Sequence, residues 1–108
     1  TGTASVLNEG TIVTSLSLTQ NYPNPFNPST TINYNVDASG MVTLKVYDVM
    51  GRLVRTLVDG YKISGYESGY SVVWDGKDQQ GQQVSAGLYI YSLQTPTGIK
   101  TKKMVLMK

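Results

Sequence analysis

From residue 31 onward, apolar side chains recur at every second position in short runs, and polar or turn-forming residues separate the runs. Ile32, Tyr34 and Val36 form one such series. Val42, Leu44 and Val46, set against Thr43, Lys45 and Tyr47, form the cleanest. A period of two sends alternate side chains to opposite faces of an extended chain, so these runs predict half-buried strands over residues 31–36 and 41–48. Asp37-Ala38-Ser39-Gly40 is the turn between them. Val49-Met50-Gly51 leads into a third strand over 52–58, which Asp59-Gly60 is expected to end. A Gly/Ser/Tyr loop over 61–69 precedes residues 70–75, where Val72 and Trp74 share a face. A polar loop with Gly76 and Gly81 follows. The chain closes with a hairpin, 87–95 and 99–108, about Pro96-Thr97-Gly98. No segment has helical spacing.

The first part of the chain reads differently. Glu9 is the only charged side chain before Asp37, whereas the rest of the chain carries fifteen. Ile12, Thr14, Leu16 and Leu18 alternate, and the abundance of Thr, Ser, Val, Ile and Leu suits extended structure. Then comes Tyr22-Pro23-Asn24-Pro25-Phe26-Asn27-Pro28, whose prolines fix φ and push their predecessors to extended conformations, which excludes a helix. It reads as a rigid connection pinned by Tyr22 and Phe26. Short strands at this spacing predict an all-β fold, an immunoglobulin-like β-sandwich of about seven antiparallel strands. The expected organisation is an arm or linker over residues 1–15 and one domain over 16–108, with Trp74 in its core.

The closing hairpin breaks the usual inside–outside rule. Tyr89, Tyr91 and Leu93 occupy one face while Leu88 and Ile90 occupy the other; Met104 and Leu106 oppose Val105 and Met107 in the same way. A sandwich strand needs one apolar face. The second calls for a cover: another part of the chain, a partner, or another copy.

Composition narrows the chemistry. A length of 108 residues allows one domain and one core. The net charge is +2, and the bases cluster only at Lys100, Lys102 and Lys103, too small a footprint for nucleic acid. With no histidine and no cysteine, imidazole-activated nucleophiles, thiolate metal sites and disulfides are all excluded. No run approaches the roughly 18 apolar residues of a membrane span. Thr1, in place of an initiator methionine, points to a mature product or a fragment. Asp75 and Asp78 are the nearest approach to a calcium loop, but they lack its alternating acidic pattern, and Asx turns explain them better. No cofactor is expected. A glycan platform built from the eight tyrosines is the less favoured reading, since strand tyrosines are ordinary sheet residues.

Several spaced motifs carry a resemblance. Residues 18–32, spanning Leu18-Thr19-Gln20-Asn21-Tyr22-Pro23-Asn24-Pro25-Phe26-Asn27-Pro28, resemble the opening of the type A C-terminal sorting domain of the type IX secretion system. Val46-Tyr47-Asp48-Val49-Met50-Gly51, Trp74-Asp75-Gly76-Lys77-Asp78, Gly81 to Tyr91 and the closing Lys103-Met104-Val105-Leu106-Met107-Lys108 follow in the family's order. The chain is also similar to the immunoglobulin-like part of flagellar hook-capping proteins. The sorting resemblance implies a non-catalytic module that follows an upstream cargo domain. It also implies recognition by outer-membrane secretion machinery, removal by a surface sortase, and a cargo left extracellular or at the cell surface. Carried onto this sequence, the matched signal is Gly87, Tyr89 and Tyr91 with Lys103, Met104, Val105, Leu106 and Lys108.

The residues themselves support a second reading, a self-assembling structural subunit. An almost uncharged arm of extended character bearing Ile12, Leu16 and Leu18 can add as a strand to a neighbouring copy's sheet edge. A head-to-tail contact of that kind builds a homopolymeric filament.

Overall fold

The computed structural model describes residues 15–108. Its regular structure is β1 (Ser17–Leu18), β2 (Thr30–Asn35), β3 (Gly40–Tyr47), β4 (Leu53–Lys62), β5 (Tyr70–Trp74), β6 (Gly87–Thr95) and β7 (Gly98–Leu106). These strands form two antiparallel sheets with orders β1-β2-β5 and β4-β3-β6-β7. The all-β immunoglobulin-like sandwich expected from the alternation is therefore the observed architecture.

The alternation also selects the core. Ile32 and Tyr34 of β2, Val42, Leu44 and Val46 of β3, Trp74 of β5, Tyr89, Tyr91 and Leu93 of β6, and Met104 and Leu106 of β7 all point between the sheets and are buried. Each aliphatic side chain removed from water in this way contributes about 1.5–3 kcal/mol. Trp74 sits at the centre, its ring 5.6 Å from Phe26 and 5.3 Å from Tyr89. Its indole N–H donates to the Lys77 carbonyl at 2.9 Å, so the ring is buried without an orphaned donor.

Two local expectations are corrected. β4 does not end at Asp59-Gly60 but runs on to Lys62. An Asp-Gly pair turns a chain when the flanking strands pair with each other. Here Asp59 and Gly60 lie opposite Thr43 and Val42, and the ladder with β3 continues to Lys62 opposite Gly40. Val58 faces Leu44 while Thr56 faces Lys45, so Leu57 is the extra residue of a β-bulge. The second correction concerns the proline segment. Phe26 pins it, 2% exposed, but the Tyr22 ring is 80% exposed. Tyr22 is held by its backbone, which exchanges hydrogen bonds of 2.9 Å with Thr31 in both directions.

Candidate functional site

The two motifs of the closing hairpin become neighbours through strand register. Gly87 lies opposite Leu106, Leu88 opposite Val105, Tyr89 opposite Met104 and Ile90 opposite Lys103. Side-chain alternation then divides them. Tyr89, Tyr91, Met104 and Leu106 face the core, and Tyr91 and Met104 are fully buried. Leu88, Val105 and Met107 are 40%, 37% and 51% exposed on the outer face. Ile90 is half-buried beside them, and Gly87, Lys103 and Lys108 are exposed. Register extends this strip across the sheet, because Ile90 pairs with Tyr47 and Tyr47 with Leu53. Leu53 is 53% exposed, so the strip is an apolar band crossing four strands with Lys103 set in it.

The inward tyrosines are anchors. The Tyr91 hydroxyl accepts from the Asn21 amide at 2.9 Å and donates to the Thr19 carbonyl at 2.7 Å. The Tyr89 hydroxyl donates to the Ser85 carbonyl at 2.6 Å. Burial pushes both phenols above their ordinary range; Asp48 adds to the effect at Tyr89, and the Asn21 amide opposes it at Tyr91. Leu88, Ile90, Lys103, Val105, Met107 and Lys108 are thus the solvent-facing side chains of the hairpin, whereas Tyr89, Tyr91, Met104 and Leu106 hold that surface in place.

The outer edge of β7 is closed by the proline segment. Backbone groups of the odd-numbered residues point away from β6, and four of them find partners. Gln20 Nε2 donates to the Lys103 carbonyl at 2.6 Å, and the Val105 amide donates to Asn24 Oδ1 at 3.0 Å. The Phe26 amide donates to the Val105 carbonyl at 3.0 Å, and the Met107 amide donates to the Phe26 carbonyl at 2.9 Å. Asn21 braces the clasp from within, donating to Thr30 Oγ1 at 2.9 Å and to the Pro23 carbonyl at 3.1 Å. An edge strand left bare invites indiscriminate pairing. Here the edge is closed along its C-terminal part, from the Lys103 carbonyl to the Met107 amide. Residue types and spacing do not reveal this clasp, since its partners lie 81 and 83 positions apart.

The remaining candidate residues are placed elsewhere. Asp75 Oδ1 accepts from the Lys77 amide at 3.1 Å and from Arg55 Nη1 at 3.2 Å. Asp78 Oδ1 accepts from the amides of Gln80 and Gln82. Both carboxylates thus serve turns, and among the described residues no three His, Cys, Asp or Glu side chains group as metal ligands. Asp78 also borders a shallow groove of about 630 Å³ with Asp48, Arg52 and Tyr89. Asp48 Oδ1 accepts from the Met50 and Arg52 amides, and these bonds hold its carboxyl below the ordinary range despite some burial. Leu18 is buried and pairs with Tyr34, and Leu16 packs against the same core. Leu16 and Leu18, expected in the arm, thus pack within their own sandwich here. Ile12 lies outside the described residues.

The model of the FlgD Ig-like domain matches residues 27–98, two-thirds of the chain. The chain belongs to the FlgD Ig-like domain family. The family match spans β2 to β6 and stops at the first residue of β7, so the clasped terminal strand lies beyond it. No curated protein matches in sequence. Among solved structures, dimeric latent PorU from Porphyromonas gingivalis is similar at 23% identity with a TM-score of 0.66, over 95% of this chain and 10% of that one. PorZ, a bacterial surface component of the type-IX secretion system of the same organism, is similar at 21% identity with a TM-score of 0.56, over 86% of this chain and 11% of that one. These likenesses establish a shared fold. This FlgD Ig-like chain thus corresponds to about a tenth of the length of the proteins it resembles.

Proposed function

We propose that this FlgD Ig-like unit is a non-catalytic sorting domain that directs an exported protein through a type IX secretion system to the cell surface. The observation that carries the reading is the outer face of the β6–β7 hairpin. It is a rigid apolar strip of Leu88, Ile90, Val105 and Met107 with Lys103 and Lys108 on its rim, and no described residue covers it. An exposed apolar patch rimmed by charge is the usual form of a protein-docking surface. Along Lys103–Met107 the closed β7 edge leaves recognition to side chains rather than to indiscriminate strand pairing. The fold shared with PorZ supports the same system, and the small fraction of each neighbour that is matched fits a module attached to an upstream cargo.

The test is a reporter fused ahead of the domain in a bacterium that has a type IX machine. Val105→Asp and Lys103→Glu alter only the outer face and are expected to keep the fold while holding the reporter in the periplasm. Export of both variants at the unmodified level would overturn the proposal.

A further inference from the structure

One side of the sandwich is clasped from Lys103 to Met107, and the other has an open stretch of its own. On the clasped side, the segment from Leu16 to Phe26 runs beside β7. The Leu16 side chain lies against Gly98, and Gln20, Asn24 and Phe26 bond further along the strand. On the far side, β4 and β5 are the edge strands of opposite sheets. Arg55 pairs with Val46, so the alternate backbone groups of Val54 and Thr56 point outward. These are met by Gln79, whose amide donates to the Val54 carbonyl and whose Oε1 accepts from the Thr56 amide. Beyond the bulge at Leu57 the parity changes. Asp59 and Tyr61 now turn their N–H and C=O groups outward, and no described residue meets them.

Beside this open edge lies a groove of about 340 Å³ between the sheets, with Tyr34, Leu57, Val58 and Val72 among its walls. Gly60 also lines it. A Cβ built at Gly60 meets nothing within 4 Å, so the strand leaves room there for a side chain from elsewhere. Open backbone groups beside an apolar slot are the two requirements for accepting an extended segment as an extra strand.

We propose that the acceptor's occupant is the arm of a second copy, residues 6–14, with Ile12 entering the space above Gly60. Three observations favour it. The sequence of the arm suits extended structure, and its near absence of charge fits a groove whose two charged residues, Asp59 and Lys62, offset each other. The described chain starts at Ser15, next to Leu16 and Gly98, on the β7 side. Donor and acceptor therefore sit at opposite edges of the four-stranded sheet, ~14 Å apart across three strand spacings. A donor on one side and an acceptor on the other make a head-to-tail contact that propagates rather than closes. This goes beyond the sorting role and uses a different surface, since β4 is the edge of the sheet farthest from β7.

The chain has no cysteine, so an introduced pair reports the contact cleanly. A full-length chain carrying Ile12→Cys and Gly60→Cys, oxidised with glutathione disulfide, is expected to give a ladder of disulfide-linked multimers on a non-reducing gel, because Gly60 and the entering Ile12 share the inner face. In the cysteine-free chain, Gly60→Leu, which fills the slot, should lower the multimer fraction seen by light scattering at least tenfold. Ile12→Asp in an otherwise unaltered chain should hold the light-scattering mass at one chain, where the parent grows with concentration. Any of three results overturns the proposal: a cyclised monomer, which would place the arm on its own groove; an equal ladder from Ile12→Cys with Met50→Cys; or a parent chain that remains monomeric when concentrated. Trp74 fluorescence verifies that Gly60→Leu is folded, and Ile12→Asp tests the same contact outside the described fold.

Discussion

Removing one oxygen from Tyr91 should cost more than its size suggests. In Tyr91→Phe the ring keeps its place, fully buried on β6. The lost hydroxyl leaves the Asn21 amide and the Thr19 carbonyl without their partners at 2.9 and 2.7 Å. The two groups fare differently. Asn21 is 2% exposed, so its N–H has no water to turn to, and a buried unsatisfied donor costs about 1–3 kcal/mol. Thr19 is exposed, so its carbonyl regains a water and loses only about 0.5 kcal/mol. The expected sum is roughly 2–3 kcal/mol, a large share of the ~5–15 kcal/mol that holds a domain together. The midpoint of thermal unfolding should fall by about 8–24 °C. Urea unfolding followed by the fluorescence of Trp74, the only tryptophan and a fully buried one, measures the loss directly. The denaturant slope should not change, and exchange of the Asn21 amide should accelerate. A loss below about 0.5 kcal/mol would refute the reasoning, because the hydroxyl would then not be what satisfies the buried amide. The result also bears on export. Under the sorting role proposed above, a secretion defect in this variant that tracks its lowered stability assigns Tyr91 to the scaffold rather than to the docking surface.

Other consequences follow from the same geometry. Phe26→Ala empties the ring site beside Trp74 and should cost about 3–5 kcal/mol; exchange of the Val105 and Met107 amides, which the clasp protects, should rise with it in mass-spectrometric measurements. Gly76 has φ of +76°, and a Cβ there would lie 3.0 Å from the Pro28 carbonyl oxygen. Gly76→Ala should therefore destabilise by about 1–3 kcal/mol in chemical unfolding, whereas Gly60→Ala should change little. Burial, with Tyr70 adding to it, pushes the Tyr34 phenol up to about 12. The unfolded chain gives up this proton near pH 10, before the folded one does, so the stability present below that pH falls as the pH rises toward 12. Circular-dichroism melts across that window should show the decline, and Tyr34→Phe should make it shallower.

The strands and their inward residues were legible in the sequence because a period of two is a local property. Ile32 and Tyr34, or Val42, Leu44 and Val46, need no knowledge of their partners to be assigned to one face. The doubly apolar hairpin was legible for the same reason, and its outer row of Leu88, Val105 and Met107 is exposed. What the sequence left undecided was pairing. Asp59-Gly60 carries the local chemistry of a turn, yet β3 lies alongside it and extends the ladder to Lys62. Tyr22 and Phe26 look equivalent as anchors, but only Phe26 meets Trp74. The clasp joining Gln20, Asn24 and Phe26 to β7 depends on residues about eighty positions apart, and so does the choice of which edge is sealed and which stays open. Alternation determines which way a side chain points. Which strand or segment lies beside it is decided only when the two sheets close on a common core, and that choice sets the surface left for a partner.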